Sequence, residues 1–230
     1  MMNIKRVGTI AKINFKQTTW IAYLVAFLGF ASAIIQNFIL YITNSKDGAQ
    51  ISEGNELLTA LIIAAVLIPA VNFKKIMHIN GKKLDFFWAS LLNYITFSAV
   101  LSIINLVLYY TVDNTMRSVI TIWDIVDIFG WLKDGIIIAF FRQFAFYLLI
   151  GVIIHTLTAM QTFWFGWVID FLIASAIGIF TPIAPLRAVL VDFFNLIIFN
   201  PNPIGHISIC LALSAAIYAL NIPILSRKKI

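Results

Sequence analysis

The chain has 230 residues, 61% of them hydrophobic and only 11% charged, with 16 Lys and Arg against 10 Asp and Glu for a formal charge of +6. A typical globular protein carries roughly 25% charged residues, so this chain has too little polar surface to coat a water-soluble globule. Soluble enzymes and disordered proteins are excluded, and whether the +6 marks a nucleic-acid partner depends on where the charges sit.

Residues 1–18 carry Ile4, Val7, Ala11 and Phe15 on one helical face, with Lys5, Lys12 and Lys16 about a third of a turn away. This predicts an amphipathic helix lying on the membrane surface, its basic side toward anionic headgroups; the plainer alternative is a partly ordered tail. The basic residues are spread rather than clustered ahead of a short apolar core, so no cleavable-signal pattern is expected. A bilayer core of about 30 Å needs about 20 mostly apolar helical residues, and six stretches answer that description. They are 19–42, 56–72, 86–112, 136–160, 163–181 and 206–224. Their apolar runs are continuous rather than alternating, which favours helices over a barrel. The expectation is an all-α polytopic membrane bundle of six spans in one domain, 1–230.

Between the second and third spans, 73–85 is short and basic. Phe73, Ile76 and Met77 share one helical face, Lys74 and Lys75 point elsewhere, and Asn80-Gly81 signals a turn before Lys82 and Lys83. A helix that docks on a cytoplasmic protein and a plain connector fit equally well. Further on, Ser118 to Lys133 is interrupted by Thr121, Asp124 and Asp127, and its Trp123 and Trp131 suit an outer interfacial anchor. In 182–205, two prolines precede the apolar run Ala188 to Phe199, which ends at Asn200-Pro201-Asn202-Pro203. That run is too short to span and too apolar for a free loop, which favours a re-entrant or interfacial hairpin over an irregular cap.

The charges fall unevenly about the spans. One side (1–18, 73–85, 161–162, 225–230) holds eleven basic residues and the other (43–55, 113–135, 182–205) four. By the positive-inside rule both termini are expected in the cytoplasm of a cell whose plasma membrane holds the chain. The basic excess is then a topology signal, and nucleic acid is not an expected partner.

Arg142 and Asp170 are the full charges placed well inside spans, where each costs about 2.5–3.5 kcal/mol. They sit on adjacent antiparallel spans at depths differing by roughly 10 Å, so a bridge would need water or Gln143. A polar lock between spans and the lining of a substrate route both remain open. Gln36, Asn37, Asn93 and Asn105 read as interhelical hydrogen-bonding groups, and the pairs Gly29/Ala33 and Ala174/Gly178 as close-packing sites. Enzyme signatures are missing: Gly81-Lys82-Lys83 is no phosphate loop, His78, His155 and His206 form no metal pair, and Cys210 has no disulfide partner. No catalytic residue, cofactor site or metal site is expected.

The layout resembles the membrane subunits of ABC exporters of the type-2 permease class. The likeness lies in a basic amphipathic first helix, six spans with both ends inside, an amphipathic loop between spans two and three, a minimal turn at Met160 to Phe163, and a semi-apolar outer segment before span six. It implies that 1–18 is the elbow helix, that Phe73 to Lys83, with Phe73, Lys74, Lys75, Ile76 and Met77, is the coupling helix seated on an ATPase subunit, and that Ala188 to Phe199 is an outer gate. ATP and Mg would be bound by that partner, and a second permease copy or paralogue would complete the pathway. Permeases of this kind resemble bacterial systems that export, or give immunity to, amphipathic antimicrobial peptides. The longer outer segment 113–135 departs from the pattern. A non-transporting scaffold or peptide-immunity protein, and an ion-coupled carrier using Asp170 and Arg142, are the competing readings.

Overall fold

The computed structural model describes residues 4–43, 49–118 and 121–228. The expected outer charges Lys46 and Asp47 lie outside the described residues. The chain is mostly helical, as expected: α1 (Ile4–Thr43), α2 (Gly54–His78), α3 (Lys83–Met116), α4 (Ile136–Met160), α5 (Trp164–Phe180), α6 (Ala184–Ile197) and α7 (Pro203–Arg227). Two three-residue strands, β1 (Ala49–Ile51) and β2 (Thr121–Trp123), add a small parallel ladder in the register Ala49↔Thr121 that the all-α expectation did not include.

Helix α4 is the hub. It packs along α2, α3 and α7, and buried residues occur all round it, from Ala139 and Phe146 to Leu149, Val152 and His155. Gly151 lets α2 approach, since a side chain there would press on Leu61. Helix α1 runs beside α3 in the same direction: Arg6 lies 3.8 Å from Asp85, and Phe15 stacks on Phe97, twelve residues further along α3. By contrast, α5 and α6 are mostly exposed or half-buried, burying only Gly166 and Ile197, and meet at a bend of 117°.

Four helices, α2, α3, α4 and α7, are long and apolar enough to cross a membrane, or five crossings if α5 and α6 make one broken span. The expected first span lies within α1, whose apolar stretch Phe27–Thr43 is shorter than the others. The expected fifth is α5, whose 17 residues reach about 25 Å. The surface helix expected at 1–18 is not a separate element. Val7, Ile10, Ala11, Asn14 and Thr18 make a buried stripe, a face rotated from the expected one, and Thr18 accepts a 2.8 Å hydrogen bond from Asn72 on α2. Ile4 is 77% exposed instead, while Lys5, Lys12 and Lys16 keep their expected exposure.

Pro69 does not end the second span. The helix widens into a π turn at Ile68–Asn72, and the Phe73 amide bonds to the Ile68 carbonyl five residues back. The wider turn accommodates a residue that has no N–H and whose ring would clash with the preceding turn. The segment from Phe73 therefore continues the span as one helix to His78.

Candidate functional site

At the end of the bundle where α4 begins, the chain leaving α6 turns its carbonyls back into the protein, and four side chains converge on them. Trp131 Nε1 donates to the Ile198 carbonyl at 3.0 Å, Arg142 Nη2 to Asn200 at 2.6 Å, His206 Nε2 to Ile197 at 2.8 Å, and the Cys210 thiol to the same Ile197 carbonyl at 3.5 Å. Because a carbonyl only accepts, His206 carries its proton on Nε2 here. Trp131 is fully buried, so it is a core clamp and not the expected interfacial anchor; Trp123 does remain exposed. Beside this cluster, Asn55 receives the Ile125 amide and donates to the Trp123 carbonyl, tying the strand ladder to the top of α2.

Arg142 does not meet Asp170. Gly135, at φ 96°, folds Asp134 over the first turns of α4, and the carboxylate takes Arg142 Nη1 at 3.2 Å. Asp170 instead accepts from Gln161, and Gln143 donates to the Tyr147 hydroxyl at 2.8 Å. The three residues singled out as intramembrane polar groups thus belong to three separate arrangements. Helix α5 buries only Gly166, so it never brings Asp170 into the core where Arg142 sits.

A second polar feature runs through the middle of the bundle. The buried face of α3 bears Asn93, Ser98, Ser102 and Asn105, spread over about 18 Å of helix, with Gln143 on α4 and Asn14 on α1 also buried. Both side-chain polar atoms of Asn14 and Asn105, Asn93 Nδ2, the Ser98 and Ser102 hydroxyls and Gln143 Oε1 have no hydrogen-bond partner among the described residues. An unsatisfied buried group costs about 1–3 kcal/mol, so a file of them marks a place that water or a polar ligand group would stabilise. Neighbouring polar groups are paired: the Tyr94 hydroxyl with His155 Nδ1 at 2.6 Å, and Asn221 Nδ2 with Thr156 at 2.7 Å.

The opposite end of the bundle is basic. Phe73, Ile76 and Met77 are buried in the core, Phe73 edge-on to Phe86, so the apolar face expected to dock on a partner is occupied from within. Lys74, Lys75, His78 and Ile79 remain exposed. Lys228 folds back over the Phe73 ring and donates to the Pro69 carbonyl at 2.9 Å, while Lys83 Nζ donates to the carbonyls of Ser226 and Lys228. Burial, with Lys74 nearby, pushes the Lys228 ammonium down to about 8.

Of the residues missed in the sequence, Ser98 and Ser102 carried a legible signal. With Asn105 they follow the i, i+4, i+7 spacing of one helical face. Asn200 and Lys228 carried none, because backbone carbonyls make their contacts, and Asp134 meets Arg142 only where the chain turns at Gly135. No group of three metal-ligating side chains occurs among the described residues. No family model, curated protein or solved structure matches the chain.

Proposed function

We propose that the chain is the membrane-spanning subunit of an ATP-driven exporter of the type-2 permease class, moving amphipathic peptides or similar hydrophobic substrates out of a bacterial cell. One observation carries the reading: the segment Phe73–His78 is rooted in the core through Phe73, Ile76 and Met77 while Lys74 and Lys75 face outward. A force applied to those lysines by a partner would pass into α2 and α3 as rigid bodies, which coupling to an ATPase requires. Switching a transporter fully between two states takes about 5.5 kcal/mol of differential binding, so an external energy source is needed for active transport. ATP and Mg belong to the partner subunit.

In this reading α1 and α5 cross the plasma membrane together with the four long helices, making six crossings with both termini cytoplasmic, as the eleven-to-four distribution of basic residues favours. The partly unsatisfied polar file on α3 would then lie along the substrate route, and a second permease copy or paralogue would complete it.

The test is purification of the native protein from its own membrane. An ATP-binding subunit should copurify, and Lys74→Glu with Lys75→Glu should cut that association and ATP-dependent transport at least tenfold. Purification alone, with transport untouched by the double substitution, would sink the reading. Transport that survives ATP depletion but is lost in Asp170→Asn would instead favour an ion-coupled carrier.

A further inference from the structure

Between α3 and α7, two cavities run end to end from the basic end toward the bilayer centre. The first, about 180 Å³, is bounded by Lys83, Leu84 and Ser226; the second, about 440 Å³, by Leu91, Ile95, Leu211 and Ala215. Phe87 and Ile222 wall both, so they form one groove. From Lys83 to Ile95 it follows about 18 Å of helix, close to one leaflet of a hydrocarbon core of about 30 Å.

We propose that this groove binds one anionic phospholipid, with an acyl chain along α3 and the phosphate at Lys82 and Lys83. The inference requires only that the chain sits in a bilayer and does not depend on the proposed transport function. Three features select this occupant. Nothing along the groove invites a peptide backbone or a sugar: its hydroxyls are already spent, Ser214 on the Cys210 carbonyl at 2.7 Å and Tyr218 on the Phe87 carbonyl at 2.6 Å. The mouth is cationic. Lys83 has three donors and uses two on the Ser226 and Lys228 carbonyls, leaving one for a phosphate oxygen, and exposed Lys82 precedes it. Asp85, the acid nearest in sequence, is buried and faces Arg6 at 3.8 Å, so it does not neutralise the mouth. Finally Trp88, 41% exposed, lines the groove just beyond Lys83, where an indole ring suits the headgroup boundary. Basic pockets between spanning helices at this level are a recurrent form of headgroup recognition.

The purified full-length protein should be titrated with phosphatidylglycerol and with phosphatidylcholine of identical chains, reading lipid adducts by native mass spectrometry and the thermal unfolding midpoint. Phosphatidylglycerol should bind at least tenfold more tightly and raise the midpoint. Lys82→Gln, a surface change, should weaken that binding about fivefold, and Ala215→Phe, which fills the groove, should abolish the preference. Equal binding of the two lipids by the wild-type protein, or unchanged phosphatidylglycerol affinity in both variants, would overturn the proposal.

Discussion

Arg142 is 3% exposed in a helix long enough to cross a membrane, yet its charge is not stranded. Asp134 and the Asn200 carbonyl take two of its donors, so the guanidinium ties α4 to the segment that leaves α6. Lys228 poses the reverse problem. Its ammonium reaches a carbonyl and a ring face, but burial, with the nearby Lys74, outweighs them and its value falls to about 8, against an ordinary lysine near 10.4. The unfolded chain therefore binds the more protons between about pH 8 and 10.4, and folding stability rises with pH across that window and is flat below it. Thermal unfolding in detergent should show a higher midpoint at pH 9.5 than at pH 7, and Lys228→Met should remove most of that rise. An equal rise in the variant would mean that Lys228 is not its source.

At the scale of elements, hydrophobic runs located the helices well, because a continuous apolar stretch of twenty or more residues has few other ways to satisfy its backbone. Boundaries were less legible. The second span was expected to stop at 72, before the basic segment, whereas a π turn carries the helix through to His78. Pairings were the least legible: adjacent spans made Asp170 a candidate partner for Arg142 even at depths roughly 10 Å apart, but a partner eight residues away along the chain and a bare carbonyl do not show in periodicity. Close approach of backbones is similarly hidden. Gly54, at the start of α2, sits so near α3 that a methyl group there would land on the Asn105 carboxamide and lie 3.2 Å from its Cα. Gly54→Ala should destabilise the protein by about 1–3 kcal/mol, the usual cost of overpacking. Because the carboxamide is the main obstacle, Asn105→Ala in the same chain should recover part of the loss; no recovery would mean that the backbone contact dominates.

The whole molecule is lopsided. Helices α2, α3, α4 and α7 bury one another, but α5 leaves Trp164, Trp167, Phe171 and Leu172 exposed and α6 leaves Val189, Phe193 and Phe194 exposed. Lipid satisfies such a surface as well as protein does, so exposure alone does not demand a partner. The small pair Ala174 and Gly178 adds a reason, since both lie on the exposed surface of α5 and none of the described residues stands within 4 Å of where a side chain at Gly178 would begin. Small residues four apart allow a second helix to approach closely, and α5 has scarcely used that capacity within its own chain. If a second copy completes the transport pathway, as proposed, α5 is the helix with room to receive it. Cys210 is buried, so Gly178→Cys supplies an accessible thiol in an otherwise unreactive chain. Oxidation in native membranes should then give a covalent dimer of about twice the 25.9 kDa subunit. A cysteine in place of Thr96, on an exposed stretch of α3, should give far less. Cross-linking to a different membrane protein would show that the partner is a paralogue, and equal cross-linking from both positions would remove α5 as the seat of assembly.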